Sequence, residues 1–255
     1  MSDTTPAGAS ALPLFYKQPL LLNANEHSGK GLKAHDGYGF AADVVAVPLN
    51  ITEFAVASRD YPIVFADNDS AAPLAVLGLK QGRNLFVDGD GKWREGAYIP
   101  SYIRRYPFIL FETQDKERRL LSIDAASPRY ADLGEGVDPF FEGEGKPTPL
   151  AQSAIDFCRA FHNEHLATVP FAEAVNEAGL LVTNRAEMQF PDNSRYTLDG
   201  FRVVDEAKFR DLADDKVLEW HRKGWLPLLA FALASQRNWR TLLTINGQST
   251  AAQAA

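Results

Sequence analysis

The stretch SPRYADLGEGVDPFFEGEGKPTP (127–149) separates two kinds of sequence and so decides how the chain is read. It carries Pro128, Pro139, Pro147 and Pro149 alongside Gly134, Gly136, Gly143 and Gly145. Asp132, Glu135, Asp138, Glu142 and Glu144 follow one another with no intervening base until Lys146. Proline removes a backbone donor and glycine weakens any helix, so helix is blocked here. The expectation is an acidic Gly/Pro loop lying over the surface.

Upstream, from Leu20 to about Ile123, the chain reads as short strands broken by turns. DVVAV (43–47), PIVFA (62–66), PLAVLGL (73–79), NLFV (84–87), FILFE (108–112) and LLSI (120–123) are rich in β-branched or aromatic residues. DNDS (67–70), KQGR (80–83), DGDG (88–91) and TQDK (113–116) supply turn chemistry between them. Regular short strands predict an antiparallel barrel or a bent sheet. Two helical turns interrupt it, one around Thr52–Ser58 and one after Pro100, which suits a helix start.

Downstream the period changes. Thr148 is placed to cap a helix with Pro149 at its first position, and Leu150, Ala154, Phe157, Phe161 and His165 recur at three-to-four spacing. MQFPDNSRYTL (188–198) reads as a hairpin. Asp205 and Asp214 read as helix caps, Gly224 as a helix stop, and Leu226–Ser235 as a buried closing helix. The chain is therefore expected to be α+β, β-rich first and mainly helical later. The expected divisions are a disordered N-terminus (1–12), a β-rich part (13–126), the acidic loop (127–149), a helical part with one hairpin (150–246) and a disordered tail (247–255).

The chain has 255 residues, 45% of them apolar and 23% charged, enough to bury a sizeable core. Its net charge is -7 and its isoelectric point about 5.3. That balance argues against nucleic acid as a partner and against a general attraction to anionic lipid. Cys158 is the single cysteine, so no internal disulfide is available. MSDTTPAGASAL lacks the basic and apolar regions of a secretory leader. The longest apolar run, Leu226–Ala234, is far shorter than the roughly 20 residues of a spanning helix. A cytoplasmic location is expected.

Few residue patterns carry chemistry. Cys158, His162 and His165 share one helical stripe and could ligate zinc, but no further ligand accompanies them, and core-edge packing beside Phe157, Phe161 and Leu166 is the preferred reading. Asp88 and Asp90 in DGDG resemble half a calcium loop, yet Asp-Gly here reads better as a hairpin turn. His27, His35 and His221 have no Ser or Cys at motif spacing, and there is no GxSxG, P-loop or GxGxxG after a strand. Neither a metal nor a cofactor is expected.

The richest cluster is Arg104 and Arg105 with Trp93, Tyr98, Tyr102 and Tyr106. Guanidinium forks among aromatic faces suit a carboxylate, a sugar or a peptide segment. The competing reading has the arginines anchoring the barrel to the acidic 132–144 loop while the tyrosines close the core. Trp93, Tyr98, Tyr102, Arg104 and Arg105 are the candidate partner-binding residues.

Four segments carry a family resemblance: EFAVASRDYPIVF (53–65), NLFVDGDGKWREGAYIPSYIRRYPFIL (84–110), DGFRVVDEAKFRDL (199–212) and GWLPLLAFALASQRNW (224–239). In order and spacing, from about Leu14 to Leu243, the chain resembles the bacterial SapC family named from a surface-layer locus. It does not resemble the peptide-transporter permease that shares the name. The resemblance implies an accessory role near envelope or nutrient-uptake systems, because relatives lie beside TonB-dependent receptors and halogenase-like flavoproteins. The expected function is therefore non-catalytic binding of a protein, peptide or glycan partner. An enzyme acting between the β-rich and helical parts, metal-assisted through His162 and His165, is the alternative.

Overall fold

The computed structural model describes residues 12–34, 37–112, 119–189 and 195–253. In chain order its elements are β1 (Pro19–Leu21), α1 (Ala24–His27), β2 (Lys30–Lys33), β3 (Ala46–Pro48), α2 (Phe54–Ala57), β4 (Ile63–Ala66), β5 (Pro73–Val76) and α3 (Ser101–Arg105). Then come β6 (Phe108–Glu112), β7 (Arg119–Asp124), β8 (Tyr130–Asp132), β9 (Val137–Pro139), β10 (Phe141–Glu142) and β11 (Lys146–Pro147). The helical part holds α4 (Pro149–Glu177), α5 (Glu206–Arg210), α6 (Asp214–Arg222), α7 (Leu226–Ser235) and α8 (Asn238–Gln253). A hairpin, β12 (Leu181–Gln189) and β13 (Arg195–Val204), divides α4 from α5. The fold is α+β as expected, with open antiparallel sheets in place of a closed barrel among the described residues.

The chain forms two compact units, each assembled from two stretches: Met1–His35 with Tyr106–Asp156, and Asp36–Arg105 with Phe157–Ala255. In the first unit, β1-β7-β6 and β8-β2-β9 are three-stranded antiparallel sheets and β10-β11 is a small ribbon. Residues 127–149 thus supply four short strands joined by turns, where a loop is expected from the sequence. Proline and glycine allow this because the strands are only two or three residues long, and the five acids all stay exposed. Gly31 is required in β2, since a Cβ there would stand 2.3 Å from the Asp138 carbonyl oxygen. Asp124 is fully buried and accepts from the Gln18 amide at 2.7 Å and the Tyr106 hydroxyl at 2.9 Å.

The second unit is built on the five-stranded sheet β12-β13-β4-β5-β3. Phe54, Phe65 and Phe171 meet in its core, each fully buried, and each burial contributes about 1.5–3 kcal/mol. The Ile63 amide donates to Ser235 Oγ at 2.8 Å, and Asn238 Nδ2 donates to the carbonyls of Ser58 and Tyr61, fastening α7 and α8 to the β4 region. NLFV (84–87) is not a strand: Asn84 Oδ1 accepts from the Phe86 amide and its Nδ2 donates to Ala41, holding irregular backbone. DGDG forms the expected turn, with Asp88 Oδ1 accepting from the amides of Asp90 and Lys92 and Gly91 at φ +77°.

Helix boundaries follow local chemistry. Thr148 caps α4 through its Oγ1, and Asp205 caps α5 by accepting from the Ala207 and Lys208 amides. At α6 the cap is Ala213, which places Asp214 and Asp215 in the first turn, favourable for the helix dipole. The α7 helix matches its expected bounds but buries one face only, and α8 follows it to Gln253, into the expected tail. The 113–116 turn, the hairpin tip at 190–194, His35 and residues 1–11 lie outside the described residues.

Candidate functional site

Asn50-Ile51-Thr52-Glu53 opens a short helical turn with a capping box, in which the Asn50 amide donates to Glu53 Oε2 at 3.1 Å. That bond turns the Glu53 carboxylate into the interior, where it is 4% exposed. There it meets the start of α3. The Ser101 amide donates to Oε1 at 2.7 Å, and the Ser101 hydroxyl donates to Oε2 at 2.6 Å. The Tyr98 hydroxyl donates to Oε1 at 2.9 Å. Four donors therefore hold one buried carboxylate, which is how such a charge is tolerated away from water.

Tyr98 is fixed along its whole length. Its amide donates to Asp60 Oδ2 at 2.9 Å, and its carbonyl accepts from the Tyr61 hydroxyl. Burial, reinforced by the neighbouring Glu53 charge, pushes the Tyr98 hydroxyl up to about 12, against the opposing pull of Arg104. Burial likewise drives Tyr61 far above the ordinary tyrosine range.

Arg104 is exposed at the end of α3, yet it is held. Its Nε donates to the Ile99 carbonyl at 3.0 Å and its Nη2 to the Tyr98 hydroxyl at 3.1 Å. The guanidinium lies 5.6 Å from the Tyr98 ring centre and 5.4 Å from that of Phe157. Arg105 points to a second aromatic pair, 4.8 Å from the Tyr102 ring centre and 4.4 Å from that of Phe161. Tyr102 and Phe161 themselves make an edge-to-face contact at 6.0 Å.

Of the expected residues, the structure brings Tyr98 to Arg104 and Tyr102 to Arg105. Trp93 belongs to another aromatic group, with Tyr38 at 5.6 Å and Phe86 at 6.0 Å. Glu53, Ser101, Phe157 and Phe161 join the cluster without having been singled out for it in the sequence. The Asn50-x-x-Glu53 spacing of a capping box is a local signal that could have pointed to the carboxylate.

The Cys158, His162 and His165 stripe lies on α4 beside Arg105. Burial pushes the Cys158 thiol up to about 11, with Arg105 opposing. His165 is exposed on α4, and its partial desolvation lowers it only in part, with the Arg105 charge lowering it further. A fixed cation in this place disfavours a second one. Among the described residues no three His, Cys, Asp or Glu side chains are grouped to hold a metal ion. No helix among them is long and apolar enough to cross a membrane.

Neither a curated protein nor a solved structure matches the chain. The SapC family model matches residues 22–242, nearly the whole length, and the chain belongs to the SapC family.

Proposed function

We propose that this SapC-family chain is a non-catalytic accessory or binding protein that holds a protein, peptide or glycan partner through the aromatic and arginine surface of α3. In this reading it acts in the cytoplasm, beside envelope, surface-layer or nutrient-uptake systems. Its partners come from TonB-dependent uptake or halogenase-like flavoprotein loci.

The supporting observation is the state of Arg104. Two of its five donors are taken by Ile99 and Tyr98, and among the described residues no carboxylate pairs with it. Both Nη1 donors and one on Nη2 remain for a ligand. A guanidinium already fixed by two bonds and two ring faces loses little freedom on docking. Its fork matches a carboxylate, which an acidic side chain, a chain terminus or an acidic sugar all present.

The test is capture of partners from native extract by the wild type and by Arg104→Ala and Arg104→Lys. Arg104→Ala keeps its Tm within about 3 °C, as an exposed substitution does in a chain of this size, and loses the partner. Arg104→Lys keeps the charge without the fork and recovers only part of the capture. An Arg104→Ala protein that folds and retains every partner sinks the reading.

A further inference from the structure

The surface of α7 has a second, independent character. From Leu226 to Ala234 the helix LPLLAFALA contains no polar side chain. Only Leu229, Ala232 and Ser235 are buried, while Pro227, Ala230 and Ala234 are exposed and Phe231 is partly so. At 100° per residue these last four fall on one face, opposite the buried set. A helix that is apolar all round is normally buried on all sides, so this face is made to meet an apolar medium.

The charges around it say which medium. The chain carries a net charge of -7, yet from Trp220 to Gly247 it has no aspartate or glutamate and four bases: Arg222, Lys223, Arg237 and Arg240. Lys223 is engaged, pairing with Glu219 at 2.7 Å and lying 4.4 Å from the Trp225 ring centre. Arg222, Arg237 and Arg240 are exposed, and among the described residues none of them makes an ion pair. They stand before and after α7, so both ends of the helix are basic. A second copy of the chain would bring Arg222, Arg237 and Arg240 against one another in either orientation, which disfavours self-pairing along this helix. Trp225 and Trp239, both partly exposed, also bracket it. The exposed face offers no hydrogen-bonding side chain, whereas a protein interface carries one hydrogen bond per roughly 100–200 Å².

We infer that α7 docks onto an anionic lipid surface, its apolar face entering the boundary between headgroups and acyl chains while Arg222, Arg237 and Arg240 meet the headgroups. Ten residues reach about 15 Å, too short to span, so the helix lies on the bilayer. The local basic segment acts against the overall acidic field because surface attraction decays within a Debye length.

The test is co-sedimentation of the full chain with vesicles of phosphatidylcholine alone and of phosphatidylcholine mixed with phosphatidylglycerol. The wild type pellets with the mixed vesicles at low salt, is released at high salt, and ignores the neutral ones. Arg237→Gln with Arg240→Gln weakens binding about twenty-five-fold, from about fivefold per charge. Ala230→Glu, on the exposed face, keeps the Tm and weakens binding at least as much. A wild type that stays in the supernatant overturns the inference, as do folded variants that bind like the wild type. Retention on an acidic polypeptide with none on the mixed vesicles equally overturns it.

Discussion

Tyr98 joins the buried carboxylate of Glu53 to the exposed guanidinium of Arg104, donating its hydroxyl to one at 2.9 Å and accepting from the other at 3.1 Å. The two opposite charges therefore communicate through a single oxygen. What the surface presents depends on a group that solvent does not reach.

Tyr98→Phe removes that oxygen while keeping the ring under Arg104. Glu53 loses one of its four donors, and the fold loses about 1–2 kcal/mol. Glu53→Ala strands the Ser101 amide and hydroxyl and the Asn50 amide together, and destabilises by about 3–5 kcal/mol. Urea denaturation of the two variants reads the order directly. Equal stability of Glu53→Ala and the wild type would show that the carboxylate does not organise this region.

The pH dependence has a sign at each end. His165 titrates below its ordinary value of 6.5 when folded, so on acidification the unfolded chain takes up the proton first. Stability falls as pH drops below about 6.5 and stops falling once the folded form protonates too. Tyr98 and Tyr106 are raised to about 12. Their contribution is complete below pH 10 and is lost between 10 and 12, because the unfolded tyrosines ionise first. Thermal melts across pH check both limbs, and His165→Gln should flatten the acidic one. An unchanged acidic slope in that variant refutes the assignment to His165.

Cys158 is 3% exposed and its thiol is raised to about 11, so little thiolate exists near neutrality. An aromatic disulfide reagent at pH 8 should find no reactive thiol in the native protein and one after denaturation. A chelator should leave the Tm unmoved, since a ligated metal contributes directly to folding. Fast native labelling, or a chelator-sensitive Tm, would restore the stripe on α4 as a site.

Much of the local architecture was legible because it is decided by neighbours in sequence. The bounds of β6 coincide with FILFE, α3 starts after Pro100, and Thr148 caps α4, each from chemistry within a few residues. The site was legible only in its exposed parts. Arginines and tyrosines stand out in composition, but Glu53 acquires its role from Tyr98 and Ser101, which are 45 and 48 residues away. The open face of α7 was hidden for a related reason, since an apolar run states that burial is wanted and not what provides it. NLFV misled because strand-like composition cannot report that Asn84 ties the backbone into a turn.

The pairing of β2 sets a timetable. Its partners β8 and β9 lie about 100 residues further along the chain, with Gly31 opposite Ala131 on one side and Pro139 on the other. At roughly 5–20 residues per second, synthesis leaves β2 without either neighbour for about 5–20 seconds. During that interval both its edges are open on the ribosome, and Leu32, buried in the finished protein, has nothing to cover it. An open strand edge of this kind is the sort of surface on which nascent chains aggregate. For the same reason a shortened gene ending at residue 126 would yield a β2 that can never be completed.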